Sequence, residues 1–411
     1  MIKVNKPKIR FNKFENIWTK SKLGELYEIY SGNTPSRSDN RNYQNGEIPW
    51  IKTTDLNNSI ICSNEEKISV YGAIKLKVLP EKSVLIAMYG GFNQIGRTGL
   101  LAYPATINQA LAALTPVNEI NPNFLLNFLN FKKESWRNVA ASSRKDPNIT
   151  KNDVEKFKIS FPSLDEQSAI GSLFCTLDDL LASYKDNLAN YQSLKATMLA
   201  KMFPKVGHTV PEIRLDGFEG EWEKVKLKDV TESIEYGLNA SAKEFDGENK
   251  YIRITDIDDV SRKFKEDSIT SPDINVSECD NYLLCEKDIL FARTGASVGK
   301  TYLYDIKDGK VYFAGFLIRA RIKERFDSKF IFQNTLSDRF TRYVKVTSQR
   351  SGQPGVNGKE YGEYELYFPK DEEQRAIGSY FSNLDNLINS HQEKISQLET
   401  LKKKLLQDMF I

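Results

Sequence analysis

Apolar residues recur at alternating steps of three and four along two long stretches of this chain. In the later stretch the stripe runs through Ile377, Phe381, Leu384, Ile388, His391, Ile395, Leu398 and Leu405, with Lys402 taking one seam position and Leu401 beside it. In the earlier one it runs through Leu177, Leu180, Tyr184, Leu188, Tyr191, Leu194, Met198 and Met202. Spacing near 3.5 residues predicts a long helix that buries a narrow seam against one partner helix, rather than a wide face against its own domain. No proline interrupts either stretch, and the single glycine of each, Gly171 or Gly378, lies near its start. Ser163 and Glu166 have capping-box spacing at the first start, and Asp371 is the expected cap at the second. Ahead of each helix lies a body of apolar runs and loops rich in Gly, Asn and Pro. Within it VLIAM (Val84 to Met88) and ILFA (Ile289 to Ala292) predict short buried strands.

The two halves are copies. Pro7, Ile9, Arg10, Phe14, Glu15, Trp18, Lys20 and Leu23 each recur 204 positions on. PWIKTTDL (Pro49 to Leu56) returns as KYIRITDI (Lys250 to Ile257), and EKSVLIAMYGGFNQIGRT (Glu81 to Thr98) as EKDILFARTGASVGKT (Glu286 to Thr301). FPSLDEQSAIGSLFCTLDDL (Phe161 to Leu180) returns as FPKDEEQRAIGSYFSNLDNL (Phe368 to Leu387). Such ordered recurrence predicts an α+β fold of two similar mixed domains with pseudo-twofold symmetry: residues 1–160, a helix over 161–205, residues 206–367, and a helix over 368–411. Antiparallel pairing of the two helices would place the bodies at opposite ends. A 39-residue helix is about 58 Å long, against ~34 Å per turn of B-DNA, so the pair would serve as a ruler between two half-sites. The expected pairing residues are Leu177, Tyr184, Leu188 and Tyr191 on one helix and Phe381, Leu384, Ile388, His391, Ile395 and Leu398 on the other.

With these residues laid out, the chain resembles the specificity subunit of type I restriction-modification systems, over essentially its whole length. The likeness rests on the repeated body-plus-helix plan and on the FP-x-x-x-E-Q-x-x-I run at Phe161 to Ile170 and Phe368 to Ile377. It rests also on SGNTPSR (Ser31 to Arg37) and on R-T-G-x-x-x-G-K from Arg293 to Lys300. The resemblance implies two target-recognition domains and helices that serve as spacer and as docking surface for two modification subunits. It also implies a complex that methylates adenine in a split double-stranded DNA target and, with motor-nuclease restriction subunits, cleaves unmodified DNA. The first half has MYGGFNQIGR where the second has RTGASVGK, and SGNTPS where the second has SIEYGLNA, as two different half-sites would require.

Charge supports DNA binding in one body only. Residues 1–160 carry 23 Lys and Arg against 14 Asp and Glu, a balance of +9, whereas residues 206–367 come to −4. Base reading needs Arg or Lys for guanine and Asn or Gln for adenine, set on loops of a rigid body. In the first body these are Arg37, Asn93, Gln94, Arg97, Arg144 and Lys145; in the second, Arg293, Lys300, Gln349, Arg350 and Asn357. The late loops SSRKDPN (Ser142 to Asn148) and SQRSGQPGVN (Ser348 to Asn357) occupy matching places.

Catalytic readings fare worse. TGASVGKT (Thr294 to Thr301) falls one residue short of a phosphate-binding loop, and the residues after it read as strand, turn and strand where that loop needs a helix. DPNI (Asp146 to Ile149) lacks the second proline and the aromatic of the amino-methyltransferase loop. Acid-x-Lys fragments of the nuclease kind, such as Asp305-Ile306-Lys307, arise readily by chance where 27% of residues are charged. His208 and His391 stand far apart and the four cysteines show no CxxC pairing, so no metal site or disulfide framework is expected. No run reaches the ~18 apolar residues of a membrane span. The expectation is a reduced, cytoplasmic, non-catalytic subunit without a cofactor. The competing reading from another class is a scaffold whose helix pair binds partner proteins while its bodies bind no nucleic acid.

Overall fold

The computed structural model of the chain describes residues 6–91, 93–141, 148–349 and 352–411. It divides into two compact units, one ending at Tyr184 and taking in Lys394–Ile411, the other Lys185–Glu393. Each unit therefore contains one body, the first part of the helix that leaves it, and the last part of the other helix.

In the first unit a five-stranded sheet runs Tyr30–Ser31, Leu111–Leu114, Val84–Ala87, Thr98–Leu101, Ser59–Ile61; its first four strands are antiparallel neighbours and the last pair is parallel. Every residue of Val84–Ala87 is buried, as the unbroken apolar run requires. Alternation sends Val84 and Ile86 to a core containing Phe124, Phe128 and Trp136, and Leu85 and Ala87 to a second core with Ile51 and Ile107. The second unit repeats the order: Thr231–Tyr236, Leu317–Ile322, Asp288–Ala292, Thr301–Leu303. There Ile289 and Phe291 face one core and Leu290 and Ala292 another. Each body also has a parallel strand pair, Ile48–Ile51 with Thr106–Ile107 and Lys250–Ile252 with Val311–Phe313. A two-stranded ribbon closes each body: Thr19–Lys22 with Lys158–Phe161, and Glu223–Lys226 with Glu365–Phe368.

The ribbon delivers the chain to a long helix, Leu164–Lys201 or Asp371–Met409. The recurrent Glu-Gln pair fixes that junction. Glu166 is buried and takes two hydrogen bonds, at 2.7 and 2.6 Å, from the Arg10 guanidinium, while Glu373 takes two at 2.7 Å from Arg214. The carboxylate expected to complete a capping box with Ser163 is thus committed to an arginine; Ser163 contributes its carbonyl, which accepts from Gln167 N at 2.9 Å. Asp371 is the first residue of its helix rather than a cap, and the Lys370 carbonyl accepts the first helical bonds. Gln167 donates to the carbonyls of Glu119 and Pro162 and accepts from Asn121 N; Gln374 donates to the Pro369 carbonyl and accepts from Asp327 N. Gly171 and Gly378 recur because the helix crosses a body helix at its start. A Cβ at Gly378 would stand 2.5 Å from Asp327 Oδ1, and one at Gly171 would stand 3.0 Å from the Asn123 Cβ.

Within each unit the two helical segments run antiparallel. In the first, Tyr184 and Leu181 pack with Ile395 and Leu398, and Phe174 meets Phe410. In the second, Tyr191 meets His391 edge-on at 5.2 Å and Phe203 stacks on Phe381 at 6.1 Å. Leu177, Phe381, Leu384, Ile388 and Leu398 are buried, and Tyr184, Leu188, Tyr191, His391 and Ile395 half-buried. The expected first stripe is corrected at two places. Leu180 and Leu194 are 40% and 39% exposed, and the seam instead passes through Leu181 and Lys195. From Leu177 the steps of four and three lead there directly, and Lys195 covers the seam with its stem while its ammonium reaches Asp385 at 2.6 Å. Its repeat counterpart, Lys402, pairs with Asp178 in the first unit.

The Met-Phe pair ending each helix closes a core. Met409 and Phe410 join Trp18, Phe124 and Phe174 in the first unit; Met202 and Phe203 join Trp222, Phe330 and Phe381 in the second. Among the described residues no helix is long and apolar enough to cross a membrane, and no group of His, Cys, Asp and Glu gathers as metal ligands would.

Candidate nucleic-acid interface

In each body the chain leaving the buried central strand is stitched to two neighbours. In the second unit, Arg293 N donates to the Phe316 carbonyl at 3.1 Å and the Arg293 carbonyl accepts from Val356 N at 2.9 Å. Thr294 bridges Gly355, and Gly295 N donates to the Pro354 carbonyl at 3.0 Å. Main-chain bonds therefore join the RTGASVGK loop to the SQRSGQPGVN loop. Gly295 turns with φ +74°, a conformation that L side chains rarely adopt, and a Cβ there would stand 3.1 Å from Gln353 Nε2. The Arg293 guanidinium lies over the Tyr236 ring, 5.0 Å from its centroid, and Arg293 Nε is buried with no hydrogen-bond partner among the described residues. Tyr236 in turn accepts from Gly358 N at 3.1 Å. Asn357 caps the short helix Gly358–Gly362, its side chain accepting from Glu360 N at 2.9 Å. Gln349 is exposed. A cation and a ring thus meet beside two loops joined by main-chain bonds, groups that base reading draws on.

The first unit repeats the stitching: Met88 N donates to the Ala110 carbonyl at 2.8 Å, and Ile149 N to the Met88 carbonyl at 3.0 Å. The loop beyond turns at Gly90, Gly91 and Gly96, and carries exposed Asn93 beside half-buried Gln94 and Arg97. Arg97 Nε donates to the Asn93 carbonyl at 3.0 Å. Burial holds the Lys133 ammonium below its ordinary range, and neighbouring Arg137 and Arg97 push it further the same way. Arg97, Lys133 and Arg137 are therefore close enough to repel one another, and Arg137 is paired with Glu134 at 2.7 Å. Sequence reasoning misses Lys133 and Arg137 because they lie on a helix, Lys133–Ala141, outside any motif; the run FKKESWR is the available signal.

Arg37 belongs to a different cluster. Its guanidinium stacks on Tyr43 at 4.3 Å and Trp50 at 5.3 Å and pairs with Glu66 at 2.5 Å. The Arg37 hydrogen bond, reinforced by Lys52, holds the Glu66 carboxyl below the usual carboxylate range. Lys300 departs further from expectation. It is 8% exposed, pairs with Asp259 at 2.5 Å and donates to the Ile257 carbonyl at 3.2 Å. Its charge is engaged inside the body, on the wall of a cleft of about 700 Å³ lined also by Arg262, Val298, Phe340 and Val344. A strand, Thr301–Leu303, comes directly after it, so the loop lacks the helix N-terminus on which a phosphate would rest. Arg144, Lys145 and Arg350 lie outside the described residues.

A mixed body present twice, each copy with a long helix and a stitched pair of polar loops, defines a tandem recognition protein. The chain belongs to the family described as type I restriction modification DNA specificity domain, whose model matches residues 15–191 and again 219–400. It is similar to the specificity subunit of the type I restriction enzyme MjaVIII of Methanocaldococcus jannaschii, 22% identical over 405 residues that span 95% of this chain and 91% of that protein. It is also similar to the EcoprrI specificity subunit of Escherichia coli, 23% identical over 381 residues, 90% of this chain and 88% of the other. Among solved structures, the S subunit of a type I restriction-modification system from M. genitalium superposes with a TM-score of 0.67 at 16% identity, over 99% of both chains. A chain from a structure on complex assembly and conformational transition of the type I R-M system gives 0.52 at 17% identity, over 96% of this chain and 97% of that one. These structural likenesses carry the fold.

Proposed function

We propose that this chain is the DNA-reading subunit of a type I restriction-modification complex, with one body reading each half of a split, asymmetric target. The long helices act as spacer and as docking surface for modification and restriction subunits. The observation that carries the reading is the duplicated loop pair, stitched by main-chain bonds to the end of a buried strand yet bearing different side chains in the two copies. A fixed frame with exchanged readers is what two unlike half-sites demand. Sequencing the methylome of cells with and without the gene tests it: loss of one split adenine motif supports the reading. An unchanged methylome, with partners expressed, would favour a scaffold that binds no DNA.

Arg293→Ala and Gln349→Ala should each relax only the half-site read by the second body. Each well-placed base contact discriminates by about 1–3 kcal/mol, so competition with single-base variants should show roughly tenfold loss of selectivity there. Equal loss at both half-sites would break the assignment of one body to one half-site. The spacer role has its own consequence. Seven residues inserted at matched places in both helices keep the seam in phase and add about 10 Å. The gap between half-sites should then grow by about three base pairs, at 3.4 Å each, with both half-site sequences intact. A changed half-site sequence would contradict the spacer.

A further inference from the structure

The turn Ala314 to Leu317 carries a feature the polar readers do not account for. Its main chain is tied at several points: Ala314 N donates to the Ile252 carbonyl at 3.0 Å, Gly315 N to the Leu238 carbonyl at 2.9 Å and Leu317 N to the Ala314 carbonyl at 2.8 Å, while the Phe316 carbonyl accepts from Arg293 N. Between buried Ala314 and Leu317, the Phe316 side chain is 61% exposed. A lone exposed ring is ordinary on any protein surface; the position of this one is what matters. It is joined by a main-chain bond to Arg293, whose guanidinium covers Tyr236, itself 45% exposed. In the first body the residue making the same main-chain bond, to Met88, is Ala110. The two copies thus differ at one fixed point by a whole aromatic ring.

We propose that Phe316 is the apolar base reader of the second body, packing its ring on the C5-methyl group of a thymine in that body's half-site. The proposal rests on the DNA-reading function given above. In the major groove only thymine presents a methyl group, and an apolar side chain is the partner that distinguishes it. A ring held on a turn tied down by main-chain bonds loses little entropy on contact. Cationic Arg293 alongside supplies attraction to the duplex.

The test uses the full chain assembled with its modification subunits and fluorescent duplexes carrying the split target found by methylome sequencing. Each thymine is replaced in turn by deoxyuridine, which removes only the methyl group. The wild-type complex should bind about fourfold more weakly at one position of the second half-site, the effect of one buried methyl group. Phe316→Ala should bind the thymine and deoxyuridine duplexes equally there and leave the first half-site unchanged; Phe316→Leu should recover part of the preference. If the wild type has no split target, the DNA-reading function itself fails. If it has one, but Phe316→Ala keeps the full thymine preference or the second half-site lacks thymine on both strands, this inference alone is overturned.

Discussion

Phe410→Ala is expected to destabilise the first unit by about 3–5 kcal/mol, the range for removing a buried aromatic ring from a core. Phe410 is 4% exposed and has ring neighbours in Trp18, Phe124, Phe128, Phe131 and Phe174 at 5.4 to 6.5 Å. Those neighbours come from three separate parts of the chain, so the hole left by alanine cannot close by moving one element. Urea unfolding followed by tryptophan emission in a Trp222→Phe background reports the first unit alone, because Trp18, Trp50 and Trp136 all lie in it. A loss below about 1 kcal/mol, the value for a surface change, would mean that the helix end is not part of that core. Phe203→Ala, the matching change, should act on the second unit through Trp222, Phe330 and Phe381.

The duplication, the long helices and the buried central strands were legible because each leaves a linear signal: recurrence, a 3.5 spacing, an unbroken apolar run. VLIAM and ILFA read as short buried strands, and each packs against a core on both faces. The parts that stayed hidden depend on which residues the fold brings together. Lys195 sits on the helix seam although it is charged, whereas apolarity alone selects Leu194. Lys300 has the sequence character of an exposed reader, but the fold brings Asp259 to it from the Ile254–Val260 region. Phe316 gives no signal where readers are sought among polar side chains.

Several acidic residues of the second body have partners within it. Asp246 accepts from Glu248 N and Asn249 N, and Asp258 from Val260 N and Ser261 N, so both carboxylates are occupied in closing turns. Asp256 holds Arg253, and buried Asp288 takes two bonds at 2.9 Å from Arg321 on the next strand. In the first body Ser83 occupies the place of Asp288, and no such pair is needed there. Four acidic residues of the second body are thus employed in closing turns and in ion pairs within the fold.

Glu373→Ala is expected to destabilise the second unit by about 1.5–3 kcal/mol, because it takes the charged hydrogen-bond partner from the half-buried Arg214 guanidinium. The hydrogen bonds from Arg214 to Glu373 raise the arginine pKa above its ordinary value, and the same guanidinium donates to the Gly220 and Glu219 carbonyls. It therefore ties the incoming segment to the helix start. The double change Arg214→Met with Glu373→Leu should recover most of the loss, since an apolar pair of similar size avoids the desolvation cost that a buried ion pair carries. Urea unfolding of the four forms measures the coupling, and a coupling near zero would show that the two side chains act independently. Half-site selectivity should not change in any form that stays folded. Glu166 and Glu373 stand in the most recognisable motif in the chain, and their contacts hold the body to its helix; the proposed readers lie elsewhere, on the loops at the end of the central strand.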